Sequence, residues 1–254
     1  MAHGVANVPR GGVSEVRYAG WQGCRLPLLG NQYPATSPAV PSRSPARPPP
    51  MLQNPPAMKV LVACEYSGAV RDAFARLGHD AWSCDLLASE SKGNHITGDV
   101  CDVLREQWVW DLIIAFPPCT YLCASGMHWT KRGLRDPQLT EDALALVRAL
   151  MEADCPRIAI ENPIGCISSR IRKPDQIIQP WQFGHPESKS TCLWLKGLPP
   201  LIPTNVLPKP PSGRWDNQTG SGQNKLGPSK DRWKIRSKTY QGIADAMAAQ
   251  WGQI

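Results

Sequence analysis

The chain has 254 residues, of which 42% are hydrophobic, and this length is enough for one domain with a full core and a modest appendage. Its formal net charge of +7 makes a nucleic-acid partner plausible. No apolar run approaches the roughly 18 residues of a membrane span. The count of nine cysteines is odd, and their spacing includes no paired C-x-x-C motif, which disfavours both disulfides and a zinc site. We therefore expect a protein with reduced thiols in the cytosol.

Residues 1–57 differ in composition from the rest of the chain. They are rich in Pro, Ser, Gly and Arg and end in two proline clusters, at 48–50 and 55–56. Five arginines and one glutamate give this segment a charge of +4, which leaves +3 for the remainder. Without an apolar period it cannot bury enough surface to offset its ordering entropy. We therefore expect a disordered tail, and Met58 is a natural alternative start.

From residue 58 onward, short apolar strands alternate with helices. We predict strands at 59–64, 80–84, 111–115, 157–160 and 192–195, and helices at 70–77, 140–153 and 239–251. This alternation is typical of an α/β fold with a mostly parallel, doubly wound sheet. We expect one main domain at 58–198, an irregular insert at 199–238, and a C-terminal helix within 239–254 that returns to the main domain.

Small and acidic residues follow the first two strands, where such sheets bind ligands. The first turn consists of Glu65, Tyr66, Ser67 and Gly68. It suits a nucleotide-like cofactor but lacks the G-x-G-x-x-G pattern of dinucleotide sites. Asp85 ends the second strand, and Asp99 precedes the next helix. Either Asp could simply cap a helix, but in this order the two carboxylates fit the ribose and adenine of an adenosine-bearing ligand.

A cysteine follows two consecutive prolines at the end of the strand at 111–115. The prolines at 117 and 118 fix a rigid loop and hold Cys119 away from the sheet. A cysteine there could act as a nucleophile if its thiolate is favoured, and a buried structural thiol is the alternative. Cys123 and His128 lie nearby, but no second ligand cluster accompanies them, so we expect no metal site.

An acid at another strand end complements this cysteine. Glu161 lies 42 residues after Cys119. Cytosine is unreactive at carbon 5 until a group adds at carbon 6, and a thiolate can add there if N3 is protonated as charge develops. Glu161 could protonate N3 and accept a hydrogen bond from the exocyclic amine, although by itself it could also be a cap.

Taken together, Cys119 and Glu161 give residues 58–254 a resemblance to the DNA cytosine carbon-5 methyltransferases, above all the small versions of phages and prophages. The resemblance implies a Rossmann-like, S-adenosylmethionine-dependent methyltransferase fold and S-adenosylmethionine as cofactor. It also implies a DNA partner whose target cytosine is flipped out of the duplex. We expect a monomer in the cytoplasm of a bacterial or phage-infected cell.

The resemblance also assigns residues to roles. The cofactor would contact Glu65, Tyr66, Ser67, Gly68, Asp85, Leu86, Asp99, Pro117 and Gly242. Cys119 and Glu161 would be catalytic. Lys189, just before the strand at 192–195, is the best candidate for the family's basic segment that contacts the base. The chain departs from the family pattern at Thr120, where Gln is usual, and at Pro163, where Val is usual.

The insert leaves little room for the large target-recognition domain of the family. Cations and aromatic residues alternate in it, and we assign DNA contacts to Arg214, Trp215, Arg232, Trp233, Lys234 and Arg236. This mixture suits phosphate contacts and base stacking, although a solvated loop would also contain it. We therefore expect a short or relaxed recognition sequence.

Two other functions remain open. An amino methyltransferase, acting on N4 of cytosine or N6 of adenine, also uses a Pro-Pro loop. Its loop normally begins with Asp, Asn or Ser and ends with an aromatic residue, whereas Phe116 and Cys119 flank the prolines here. A non-catalytic DNA-binding relic of the fold would explain the small insert, but Cys119 and Glu161 argue against it.

Overall fold

The computed structural model describes residues 56–106 and 108–254, so the predicted tail lies almost wholly outside the described residues. Within the described part, seven strands form one sheet in the order β3-β2-β1-β4-β5-β7-β6. The strands are β1 (Lys59–Ala63), β2 (Asp80–Asp85), β3 (Asn94–Thr97), β4 (Leu112–Ala115), β5 (Ile158–Pro163), β6 (Gln176–Ile178) and β7 (Thr191–Lys196).

The sheet is parallel from β3 to β5, and β7 runs antiparallel between β5 and β6. Register aligns the carboxyl ends of the central strands: Ala63 pairs with both Cys84 and Ala115, and Ala115 pairs with Ile160. The loops that follow β1, β2, β4 and β5 therefore start from one edge of the sheet, where parallel sheets bind ligands.

Helices cover both faces of the sheet. They are α1 (Ala69–Arg76), α2 (Val100–Arg105), α3 (Ala124–Lys131), α4 (Gln138–Met151), α5 (Ile167–Arg170), α6 (Arg232–Ser237) and α7 (Gln241–Trp251). Residues of α1 and α7 share a core with Val60 and Val62, whereas residues of α2 and α4 share a second core with Leu61 and Ile113. Alternate β1 side chains thus face opposite layers, as expected for a strand buried on both sides.

This architecture confirms the predicted α/β fold. The doubly wound, mostly parallel sheet with one reversed strand is the Rossmann-like arrangement expected of S-adenosylmethionine-dependent methyltransferases. Each predicted strand and helix is present, with ends displaced by up to three residues. Among the described residues, no helix combines the length and the apolar character needed to cross a membrane.

Candidate active site

The chain leaves β1 through a tightly packed turn. Cys64 has a left-handed backbone (φ 59°), and Gly68 has φ 76°. A Cβ atom at Gly68 would lie 2.0 Å from the Ser91 hydroxyl oxygen and 2.4 Å from an Arg71 guanidinium nitrogen, so a side chain does not fit there. The turn is therefore packed directly on the loop between β2 and β3.

Buried Arg71 holds these two loops together. Its guanidinium donates hydrogen bonds to the hydroxyls of Ser83 and Ser89 and to the backbone oxygens of Ser91 and Lys92. A fully buried guanidinium is stable only when its donors are satisfied in this way. Arg71 thus fixes the shape of the loop that follows Asp85.

Glu65 caps α1 from within the protein. One carboxylate oxygen accepts hydrogen bonds from Val70 N (2.8 Å) and the Ser67 hydroxyl (3.1 Å), and the other accepts from Arg71 N (3.3 Å). Burial raises the pKa of Glu65, although these hydrogen bonds oppose the rise. A carboxylate therefore occupies the helix N-terminus where a phosphate would otherwise bind.

The predicted adenosine-binding acids lie near each other at the ends of β2 and α2. Asp85 is buried and accepts from Leu87 N (2.9 Å), whereas Asp99 caps α2 by accepting from Cys101 N (2.8 Å). Burial raises the pKa of Asp85. Burial, followed by the charges of Asp85 and Asp99 among others, raises the pKa of the Cys64 thiol, so both acids lie close to the turn after β1.

Cys119 lies on an exposed loop that is anchored to the sheet. It begins a single 3₁₀ turn after the two prolines, and the residue is exposed, unlike Cys84 and Cys155. Asn162 donates a 2.7 Å hydrogen bond to Pro117 O and so ties the loop to β5. The loop also borders an apolar pocket lined by Pro117, Pro118, Tyr121, Leu139, Asp142, Ala143 and Leu146.

Three predicted catalytic residues come together at this edge. Burial raises the pKa of Glu161, and the Lys189 charge and a hydrogen bond from the Thr191 hydroxyl lower it. The pKa of Cys119 rises chiefly because of its hydrogen bond with Cys123 and then because of desolvation; Glu161 raises it further and Lys189 lowers it. Cys119, Glu161 and Lys189 therefore lie within electrostatic reach of one another.

A basic segment links this site to the turn after β1. We call residues 232–238, which comprise α6 and Lys238, the strap. The Tyr66 hydroxyl lies 2.9 Å from the Ser237 hydroxyl oxygen and donates to Lys234 O (3.1 Å). The Lys189 ammonium donates to Arg236 O (3.2 Å), and Lys238 pairs with Glu90 at 2.6 Å. The strap therefore contacts the loops after β1 and β2 as well as Lys189.

The predicted DNA contacts fall into two groups. Arg232, Trp233, Lys234 and Arg236 all belong to the strap, and the Trp233 ring lies 6.0 Å from the Tyr66 ring. Arg214 is exposed, whereas Trp215 is only 9% exposed and stacks on Trp181 with centroids 5.7 Å apart. One face of the Trp215 ring is thus already covered within the protein.

The remaining predicted cofactor residues differ in their surroundings. Leu86 is exposed next to Asp85, and Pro117 lines the apolar pocket. Gly242 donates from its backbone N–H to the His185 ring (2.9 Å), and a Cβ atom there would lie 2.0 Å from Phe183 O. Gly242 thus allows α7 to approach the turn at 183–185.

Sequence reasoning missed Cys123 as a site residue. Cys123 is the N-cap of α3, and its sulfur accepts from Gly126 N (3.4 Å) and lies 3.2 Å from the Ser125 hydroxyl oxygen. The hydrogen bond from Cys119 is the main reason that the pKa of Cys123 falls to about 5. The available signal was a second cysteine four residues after the proposed nucleophile.

It also missed an exposed basic surface on and after α3, which we call the α3 surface: His128, Trp129, Lys131, Arg132 and Arg135. Trp129 is 46% exposed, and Arg135 donates to Thr120 O (3.1 Å), directly beside Cys119. Cations interleaved with an aromatic residue are typical of nucleic-acid surfaces. The signal in the sequence was the run of cations that begins at residue 131.

Comparisons with known proteins leave the function to be argued from this site. No family model and no curated protein matches the chain. Among solved structures, it is similar to a protein described as a DNA modification methyltransferase encoded within an E. coli prophage, with 14% identity, a TM-score of 0.39, and coverage of 62% of this chain and 54% of that one. It is also similar to the Entamoeba histolytica methyltransferase EhMeth, with 16% identity, a TM-score of 0.39, and coverage of 59% and 58%. The chain thus spans a little over half of the length of each.

Proposed function

We propose that this chain is an S-adenosylmethionine-dependent DNA methyltransferase that methylates carbon 5 of cytosine through a covalent bond to Cys119. The observation that carries the proposal is a cysteine at an exposed position on a rigid proline loop, within electrostatic reach of a half-buried, protonatable acid and a lysine. Residues 58–198 would form the catalytic domain, with 199–238 as a reduced DNA-contacting insert and 239–254 as the returning helix.

The turn after β1 fits the proposed cofactor. The Glu65 carboxylate occupies the N-terminus of α1, which disfavours a phosphate-bearing ligand, and S-adenosylmethionine carries no phosphate. Asp85 and Asp99 each accept local backbone hydrogen bonds, and each carboxylate has further acceptor capacity for a ribose hydroxyl or the adenine amine. When bound, S-adenosylmethionine supplies an electrophilic methyl group.

Cys119 and Glu161 have complementary tasks on a cytosine ring. The Cys119 sulfur adds to carbon 6, and Glu161 delivers a proton to N3 as negative charge develops on the ring. The raised pKa of Glu161 favours the protonated form that this step needs. The ring then becomes nucleophilic at carbon 5, where it is methylated. Loss of the carbon 5 proton to a base breaks the carbon–sulfur bond and releases Cys119.

Lys189 supports the same step through its charge. Its charge lowers the pKa of both Cys119 and Glu161, which means that it favours the anionic form of each group. Those are the thiolate that attacks and the carboxylate that remains after N3 is protonated. A cation in a partly desolvated site stabilises such charge more strongly than it would in water.

The DNA would lie across the strap and the α3 surface, with the target cytosine turned out of the stack toward Cys119. Both surfaces carry cations and an exposed tryptophan, and both touch loops of the site: the strap through Tyr66, the α3 surface through Thr120. Contacts of this kind go mainly to phosphates and carry little sequence information. The proposal therefore includes weak sequence specificity.

Covalent trapping tests the proposal. DNA that contains 5-fluorocytosine cannot lose its carbon 5 substituent, so the enzyme should remain bound through Cys119 when S-adenosylmethionine is present. An amino methyltransferase would leave no adduct, and a non-catalytic relic would neither form one nor consume the cofactor. Absence of any adduct together with methyl transfer to an exocyclic nitrogen would replace the proposal with the amino reaction.

A further inference from the structure

Two cysteine sulfurs, not one, lie at the reactive end of the proline loop. Cys119 and Cys123 flank a single tight turn, in which Cys123 N donates to Cys119 O at 2.9 Å, and their thiols are hydrogen-bonded to each other. The loop therefore presents a pair of thiols that shares protons. A nucleophile in such a pair differs from an isolated thiol, because its proton has an acceptor already in contact.

The surroundings favour negative charge on Cys123 within this pair. Its sulfur caps the eight-residue helix α3, where it accepts from Gly126 N (3.4 Å) and lies beside the Ser125 hydroxyl (3.2 Å). Cys119 lacks such a cap and is exposed toward the proposed substrate. Backbone N–H groups at a helix N-terminus stabilise a thiolate in the same way as they stabilise other anions.

Charged and titratable groups face the pair from several elements. Glu161 on β5 and Lys189 before β7 act on Cys119, whereas Arg236 on the strap acts on Cys123. The charge of Cys123 in turn raises the pKa of Cys166, just before α5. Arg236 lowers the pKa of Cys123, which is about 5, after the larger effect of the Cys119 hydrogen bond. The helix cap at Cys123 thus favours that residue as the site of the single negative charge of the pair before reaction.

We propose that Cys123 is a second catalytic thiol, the base that accepts the Cys119 proton as the Cys119 sulfur adds to cytosine. The inference rests on the proposed function and deepens it, because it assigns the base that activates the nucleophile. The helix cap and the sulfur–sulfur hydrogen bond make Cys123 the base. Cys119 is the nucleophile because it is the exposed residue of the pair.

In the proposed reaction, Cys119, Cys123 and Glu161 each return to their starting protonation state. As the carbon 6–sulfur bond forms, the Cys119 proton moves to the Cys123 thiolate, and the electron pair of the carbon 5–carbon 6 bond shifts toward N3, which takes a proton from Glu161. After carbon 5 is methylated, its proton leaves to a base, N3 returns its proton to Glu161, and the carbon 6–sulfur bond breaks. The departing Cys119 thiolate then recovers its proton from Cys123.

The experiment follows formation of the 5-fluorocytosine adduct in single turnovers under reducing conditions, with Cys123→Ser and the matched control Cys155→Ser. Cys155 is a buried thiol before β5, and a serine there can still donate to Trp110 O or Arg157 O. The control should behave like the wild type. In Cys123→Ser, Cys119 must ionise alone, so the rate near pH 7 should fall about 10- to 30-fold and rise about tenfold per pH unit toward pH ~8.5, where an ordinary thiol ionises.

Peptide mapping of the adduct separates the two proposals. An adduct on Cys119 together with an unchanged rate and pH profile in Cys123→Ser would overturn the inference and leave the proposed function intact. An adduct on Cys123 would overturn the assignment of roles. The absence of an adduct in every form, including the wild type, would count against the proposed function itself.

A measurement on the wild type alone covers the case in which the variant does not fold. Iodoacetamide labels thiolates, so Cys123 should be alkylated at pH ~6.5, well below the range in which an ordinary cysteine reacts. Alkylation of Cys123 that appears only above pH ~8 would overturn the proposal.

Discussion

Asn162 donates a hydrogen bond of 2.7 Å to the carbonyl oxygen of Pro117, and the side chain of Asn162 is only 1% exposed. Neither Pro117 nor Pro118 has a backbone N–H, so the loop cannot donate a ladder hydrogen bond at these positions. The amide of Asn162 therefore anchors, from the end of β5, the loop that carries Cys119. The same strand carries Glu161, so the proposed nucleophile and the proposed acid are held by neighbouring residues.

Replacement of Asn162 should weaken the attachment of the loop that carries Cys119 to β5. Asn162→Ala would leave the Pro117 carbonyl buried without its donor, which costs about 1–3 kcal/mol of stability. We expect a lower free energy of unfolding in urea and slower adduct formation with 5-fluorocytosine DNA. Asn94→Ala on the exposed edge of β3 serves as the control and should change neither quantity. Unchanged adduct formation in Asn162→Ala would show that the loop keeps its position without this bond.

Replacement of Glu161 should lower the rate of methyl transfer without lowering the free energy of unfolding. Glu161→Gln cannot protonate N3, so methyl transfer should fall by about 10²- to 10⁴-fold, the usual contribution of a positioned acid. In the wild type, activity should also decline as pH rises through the raised pKa of Glu161. Initial rates of methyl transfer as a function of pH measure both effects. A Glu161→Gln rate within twofold of wild type would exclude Glu161 as the acid.

The same residue should limit folding stability at high pH. Because burial raises the folded-state pKa of Glu161 above its unfolded value, the folded state binds a proton more tightly. Its stabilising contribution is complete below the unfolded pKa and is lost as pH rises through the folded pKa. We therefore expect Glu161→Gln to be more stable than the wild type at pH ~8, with a smaller difference at pH ~4. Urea unfolding at the two pH values checks this, and a variant less stable at the higher pH would contradict it.

The contact between Tyr66 and the strap should couple the binding of cofactor and DNA. Tyr66→Phe removes the hydroxyl that contacts Ser237 and Lys234 O, a loss of about 1 kcal/mol for one hydrogen bond. Titration calorimetry should show that DNA tightens cofactor binding less in the variant than in the wild type, by roughly fivefold for 1 kcal/mol. Glu90→Gln breaks only an exposed ion pair with Lys238 and should have a smaller effect. Identical coupling in wild type and Tyr66→Phe would argue against this role.

Salt dependence should show which surfaces contact DNA. Each cation that neutralises a phosphate contributes about 0.9 to the slope of log affinity against log salt concentration. Arg232→Ala with Lys234→Ala on the strap, and Lys131→Ala with Arg132→Ala on the α3 surface, should each reduce the slope by about 1.8. Arg76→Ala, which removes an ion pair with Asp245 between α1 and α7, is the control. A slope unchanged in either double variant would remove that surface from the interface.

The sequence predicted those strands whose structure depends only on their own residues. The apolar runs of β1, β4 and β5 predict buried parallel strands, because such strands are covered on both faces. By contrast, β3 reads Asn-His-Ile-Thr at an edge of the sheet and has no apolar run to detect. The antiparallel direction of β7 was equally hidden, because strand direction depends on the path of the chain and not on local composition.

The candidate site also combines features that could be predicted from the sequence with features that could not. Cys119 and Glu161 lie within electrostatic reach of each other because β4 and β5 are aligned at one edge of the sheet, and this alignment follows from the fold. The pairing of Cys119 with Cys123 depends on a 3₁₀ turn that follows two prolines, and the burial of Trp215 depends on its stacking with Trp181. The first is a local contact within an irregular turn and the second is a tertiary contact between irregular segments, and neither produces a periodic signal.

The most direct test of the central claim is covalent capture of 5-fluorocytosine DNA by the wild-type protein, Cys119→Ser and the control Cys155→Ser, with S-adenosylmethionine present. We expect the wild type and Cys155→Ser to form a stable adduct on the Cys119 peptide, and Cys119→Ser to form none while it still folds. Full methyl transfer by Cys119→Ser, or a wild-type adduct on a peptide that contains neither Cys119 nor Cys123, would contradict a mechanism built on this proline loop.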